Sequence, residues 1–73
     1  MHQLTAVFEQ RPNGWWVAYI EELSGVNTQG ETLEEARVNL QEALSLVVET
    51  NREIAREQSA GREVIREPFA LAS

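Results

Sequence analysis

One stretch constrains this chain more than any other: Gly25-Val26-Asn27-Thr28-Gln29-Gly30-Glu31-Thr32-Leu33-Glu34-Glu35-Ala36. It reads as a short strand, a glycine-marked turn and the start of a long helix. Gly30 is free to take a positive φ without a Cβ clash. Thr32 is a good N-cap, and Glu35 three residues on makes Thr32-x-x-Glu35 a capping box. Glu34 and Glu35 also place negative charge in the first turn, where the helix dipole favours it. The helix therefore starts at Leu33.

From there an apolar stripe sets the helix length. Leu33, Ala36, Leu40, Ala43, Leu44, Val47, Ile54 and Ala55 recur at three- and four-residue spacing and fall on one face, with Val48 at its edge. Glu35, Glu42, Glu49 and Glu53 occupy the opposite face; Val38 and Leu46 fall off the stripe, and Asn51 falls on it. Ser59-Ala60-Gly61 ends the pattern, with Gly61 as a positive-φ cap. A helix over 33–58 spans about 37 Å, whereas a six-residue strand covers about 20 Å. It overhangs any sheet it packs on.

Ahead of the helix, Leu4, Ala6 and Phe8 alternate with Thr5, Val7 and Glu9, the period of a strand. Arg11-Pro12-Asn13-Gly14 is a hairpin turn signal. Trp15 to Glu21 is apolar on both faces: Trp16, Ala18 and Ile20 on one, Trp15, Val17 and Tyr19 on the other. Only one face can pack on a single helix. After the helix, Arg62 to Leu71 alternates again, and Pro68 confines such a strand to an edge or ends it. The expected class is α+β, in the order β-β-β-α-β. An antiparallel meander near 3–10, 15–21 and 26–29 precedes a helix near 33–58 and a last strand near 63–71. All of 1–73 forms one domain.

With 73 residues and no cysteine, the chain builds one small core and has no disulfide to reinforce it. Surplus apolar surface then points to a homodimer or higher homo-oligomer, with Trp15, Val17 and Tyr19 on the second sheet face and Val47, Val48 and Ile54 on the overhang. The net charge of −6 disfavours direct contact with nucleic acid, which requires clustered basic residues. It suits a basic protein partner. Every acidic residue is Glu and every basic one Arg. No signal peptide and no run long enough to span a membrane is visible, so a cytoplasmic location is expected.

Little in the chain suggests catalysis. His2, the single histidine, sits at the terminus and is expected in solvent. Neither a zinc site nor a triad can be assembled without Cys, a second His or a Ser-His pairing. Glu35, Glu42 and Glu49 at seven-residue spacing read as a solvated helix face rather than a cation site. The phosphate-loop glycine spacings are missing. Trp15 and Trp16 lack the basic patch that would make them a base-stacking platform. The expectation is a protein that is not an enzyme and uses no cofactor and no metal.

Gly14-Trp15-Trp16-Val17-Ala18-Tyr19, Glu22-Leu23-Ser24-Gly25, Thr28-Gln29-Gly30-Glu31-Thr32-Leu33-Glu34-Glu35-Ala36 and Asn39-Leu40-Gln41-Glu42-Ala43-Leu44 together resemble the N-terminal domain of HicB-type antitoxins. The resemblance covers about Leu4 to Glu49, and Ser24 stands where that family usually has Pro. It implies a truncated ribonuclease H-like fold with the fourth strand beside the first. It does not carry over ribonuclease H chemistry, whose carboxylate cluster finds no counterpart in a chain without Asp. Longer family members carry a C-terminal DNA-binding segment; these 73 residues show no counterpart of it, so direct operator binding is not expected of them. The implied function is an antitoxin-like protein that occludes a small basic HicA-type messenger-RNA ribonuclease. Two alternatives stand beside it: a stand-alone oligomeric interaction module with no toxin, and, more distantly, a metal-dependent nuclease. For a basic partner the expected contact is an acidic cluster of Glu21, Glu22, Glu31, Glu34 and Glu35, gathered at one end of the sheet.

Overall fold

The computed structural model describes residues 3–71. Three strands, β1 (Ala6–Gln10), β2 (Trp16–Ile20) and β3 (Asn27–Gly30), precede one helix, α1 (Leu33–Ser59). The strands form an antiparallel meander in the order β1-β2-β3. His2 lies outside the described residues.

The turn chemistry behaves as its residues dictate. Gly14 donates to the Arg11 carbonyl at 2.9 Å and Arg11 donates to Trp15 at 2.7 Å, so Pro12 and Asn13 form the turn and Gly14 closes it at φ +92. Asn13 Oδ1 accepts from the Trp15 N–H at 3.0 Å. The resulting register pairs Phe8 with Ala18 and Val17 with Gln29. Trp16, Ala18 and Ile20 consequently face the helix, as their alternation predicts.

At the helix start, Thr32 holds extended backbone and its Oγ1 accepts from the Glu35 N–H at 3.1 Å. Glu35 Oε1 reaches back to the Glu31 N–H at 3.3 Å, one residue before the cap itself. The forward bond of the expected capping box is thus made, while the return bond goes to Glu31 in place of Thr32. Gly30 is a correction: its φ is not positive, and the glycines that are positive among the described residues are Gly14, Gly25 and Gly61. Glycine is required at 30 because a Cβ there would stand 2.6 Å from the Ala36 nitrogen. β3 runs that close to the first turn of α1.

The core is small. Ala18, Ile20, Val26, Ala36 and Leu40 are buried, and Phe8, Trp16, Ala43, Leu44 and Val47 pack against them. Val26 falls just before β3 and plugs one end of the sheet, its carbonyl accepting from the Ile20 N–H at 3.1 Å. Val38 and Leu46, off the stripe, are exposed. The sheet covers the helix only to about Val47, so the overhang begins later than expected and Val47 belongs to the packed part. Ile54 is exposed, as an overhang residue should be.

Residues 62–71 form no strand, which departs from the expected fourth strand at 63–71. The cause is the helix. From Val47 to Ser59 it carries the chain about 18 Å beyond the sheet at about 1.5 Å per residue, and Pro68 offers no N–H to a ladder. Gly61 at φ +77 turns the chain away from the helix. Arg62 then donates to the Gln58 carbonyl and Arg66 to Ser59 Oγ, so the segment's first residues stay at the helix end. The shape is long, 51 × 27 × 16 Å, with a radius of gyration of 15.7 Å. A compact chain of this length has about 11 Å.

Candidate protein-binding surface

Antiparallel pairing puts directly opposed residues on the same face. Val7 opposes Tyr19, Glu9 and Gln29 both oppose Val17, and Asn27 opposes Tyr19. These residues make the outer face of the sheet. None of the described elements covers it, because α1 packs on the other side. Its middle is a shallow, open depression of about 440 Å³ between Glu9, Arg11, Val17, Tyr19 and Gln29. Tyr19 is 44 % exposed and Trp15 36 %. Glu9 and Arg11 close on each other at 3.0 Å along the β1 side, in solvent. The face is therefore aromatic and aliphatic in the centre and polar at its margins.

The five carboxylates expected to form one acidic cluster do not do so. Trp16 pairs with Gly30 at one end of the sheet, and Tyr19 with Asn27 at the other. Glu21 and Glu22 follow β2 at the Tyr19 end; Glu31, Glu34 and Glu35 follow β3 at the Trp16 end. The length of β3 keeps the two groups about 10 Å or more apart. The expectation failed because a very short strand still runs the full width of this sheet.

Several of these carboxylates already have structural work. Glu22 Oε1 accepts from the Thr5 N–H and Oε2 from Thr5 Oγ1, each at 2.7 Å, which fastens the chain ahead of β1 to the loop after β2. Glu35 serves the cap. Glu34 meets Arg37 at 3.4 Å. Arg37 in turn lies 5.8 Å from the Phe8 ring centre, over the helix-side face of β1. The grip of Glu22 on Thr5 has no local signature; it joins residues 17 apart in sequence. Asn39 was also missed as a structural residue: its Nδ2 donates to the Gln29 carbonyl at 2.9 Å and occupies the outer edge of β3. A polar, poor helix former in mid-helix was the available signal.

Of the residues expected at an oligomer interface, Trp15, Tyr19 and Ile54 are exposed, and Val17, Val47 and Val48 are half-buried. Val48 borders a second shallow hollow with Leu23, Asn51 and Arg52. Among the described residues, no three His, Asp or Glu side chains gather closely enough to hold a metal ion. No helix among them is long and apolar enough to cross a membrane.

The family described as UPF0150-like matches residues 3–50. A protein of Synechocystis sp. described as "UPF0150 protein ssl0738" is 39 % identical over 69 residues, covering 94 % of each chain. No solved structure matches this chain. The matched residues run from the start of the described chain to just past the packed part of α1, so they take in the whole sheet and the capping box.

Proposed function

The chain belongs to the UPF0150-like family, and from that premise we propose that it is a non-catalytic protein-binding module, an antitoxin-like partner of a small basic HicA-type ribonuclease. The observation that carries this reading is the uncovered outer sheet face, with Val17 and Tyr19 lining its depression, exposed Trp15 just ahead of β2 and carboxylates beyond both ends of the sheet. A sheet face of this kind offers an apolar centre for affinity and separated negative ends for steering. The resemblance of the Gly14–Tyr19, Thr28–Ala36 and Asn39–Leu44 motifs to the HicB-type antitoxin domain supplies the partner class. The net charge of −6 is complementary to a basic ribonuclease. Inhibition would be steric: the bound module occludes the toxin's RNA surface. A truncated ribonuclease H-like relation of the β1-β2-β3-α1 unit belongs to the same proposal.

The test is co-purification with the product of a small basic reading frame beside the gene. Tyr19→Glu, at the centre of the face, should weaken binding at least tenfold, and Glu21, Glu31 and Glu34 reversed to Lys should slow association and flatten its salt dependence. Binding by both variants at parental strength and rate would refute the surface. Failure of any neighbouring product to bind would remove the antitoxin reading. The second reading, a stand-alone homo-oligomeric module, would then take its place; the elongated shape favours it, since so much apolar side chain lies beyond the core.

A further inference from the structure

We propose that residues 62–71 of one copy of this chain add as a strand to the free edge of β1 in a second copy, exchanged reciprocally in a two-fold dimer.

Two surfaces lack a partner among the described residues. The first is the edge of β1 away from β2. The sheet order leaves β1 terminal, whereas the other terminal strand, β3, has Asn39 bonded to its outer edge. Beside the β1 edge a groove of about 390 Å³ opens between the sheet and α1, lined chiefly by Leu4, Ala6, Phe8, Ile20, Leu40 and Leu44. It combines a row of unused backbone donors and acceptors with an apolar wall, the arrangement that accepts an added strand.

The second surface is the segment itself. Ile65 is 87 % exposed, Phe69 98 % and Leu71 52 %. In extended backbone these three share one side, because positions two and four apart fall on the same face. Pro68 falls on the other alternation and is tolerated in a strand that pairs along one edge only. Glu67 shares the side of Ile65, Phe69 and Leu71, so the segment offers one usable edge and a face that is apolar but for one carboxylate; the β1 groove offers a free edge and an apolar wall, with Arg37 also lining it to meet Glu67.

Length decides between the chain's own groove and that of another copy. The helix end stands about 22 Å past Leu44 along the axis. Residues 62–71 fully extended span about 30 Å. Doubling back along its own helix would use up all but the last two or three residues, leaving Ile65 beside bare helix. In a second copy no return is needed, and the whole apolar side, Ile65 to Leu71, can lie along the groove. Reciprocal exchange closes the assembly as a dimer. This goes beyond the binding function proposed above, which uses the opposite sheet face, so either can fail without the other.

Mixing chains labelled with ¹⁵N and with ¹³C makes any contact between the two labels intermolecular. The expected result is a species of twice 8.3 kDa in sedimentation, with cross-label contacts between residues 62–71 and Leu4–Phe8. Ile65→Pro, placed outside every element of the fold, should raise the dimer dissociation constant at least tenfold and leave the far-ultraviolet spectrum of sheet and helix in place. A monomer at NMR concentration overturns the proposal. So do contacts between these segments confined to one chain, or a dimer that Ile65→Pro leaves unchanged, which would place the interface elsewhere.

Discussion

Gly30→Ala tests how closely strand and helix are joined. The added Cβ would stand 2.6 Å from the Ala36 nitrogen, 3.0 Å from its Cα and 3.1 Å from the Glu35 carbonyl carbon. Comfortable contact needs about 3.5 Å, so the strand end and the first helical turn must part by nearly an ångström. None of the three atoms belongs to a flexible side chain. The Ala36 position is itself held, since its N–H donates to the Thr32 carbonyl at 3.0 Å.

 Separating them would loosen the Asn39 bond to Gln29 at 2.9 Å and the packing of the fully buried Ala36. Such overpacking costs about 2–3 kcal/mol. Alanine also restricts the unfolded chain, which returns about 0.4–1 kcal/mol. The net loss is about 1–2.5 kcal/mol, or roughly 10 °C in melting temperature for a domain of this size. Urea and thermal melts followed by circular dichroism, at one fixed protein concentration, measure it. Gly25→Ala is the comparison: its φ is +85 but its Cβ would meet open space, so only backbone strain of about 1–2 kcal/mol applies. The discriminating observation is the pair with Gly30→Ser, whose extra oxygen should deepen the loss at 30. A Gly30→Ala protein as stable as the parent would refute the close approach.

Three further outcomes follow from the same geometry. Thr32→Ala removes the acceptor for the Glu35 N–H and should cost about 1 kcal/mol in urea melts, with Glu35→Ala costing less. Leu40→Ala opens a cavity in a core of few buried side chains and should cost about 2–5 kcal/mol, enough to abolish a cooperative melt. Asn39→Ala frees the Gln29 carbonyl; the expected loss is about 0.5–1.5 kcal/mol, with faster amide exchange in β3 and little change in β1.

What the sequence revealed was what local chemistry decides. The Thr32 cap, the Gly61 end and the Leu33–Val47 stripe are set by residues within a few positions of one another, and the helix occupies Leu33–Ser59 against an expected 33–58. Alternation assigned the two faces of β2 correctly because one of them had to meet the helix. What it did not reveal depends on distance through space. The role of Gly30 is set by Ala36 across a turn, and that of Glu22 by Thr5 across a hairpin. The acidic residues looked clustered because they are close in sequence, yet β3 runs between them. The alternation at 62–71 is real, but alternation records only that a segment is suited to pairing, not that an edge lies within reach.

The two-residue link from β3 to α1, Glu31 and Thr32, has a kinetic consequence. Each paired strand is the sequence neighbour of its partner, and the helix docks on strands that immediately precede it. Loop closure therefore involves short segments throughout, and such low contact order places folding of the sheet and the first half of α1 toward the fast end for mixed α/β domains. The part of α1 beyond Val47 lies outside the packed core, so its order adds nothing to that rate-limiting step, and substitutions there, such as Ile54→Ala, should change unfolding and leave the folding rate untouched.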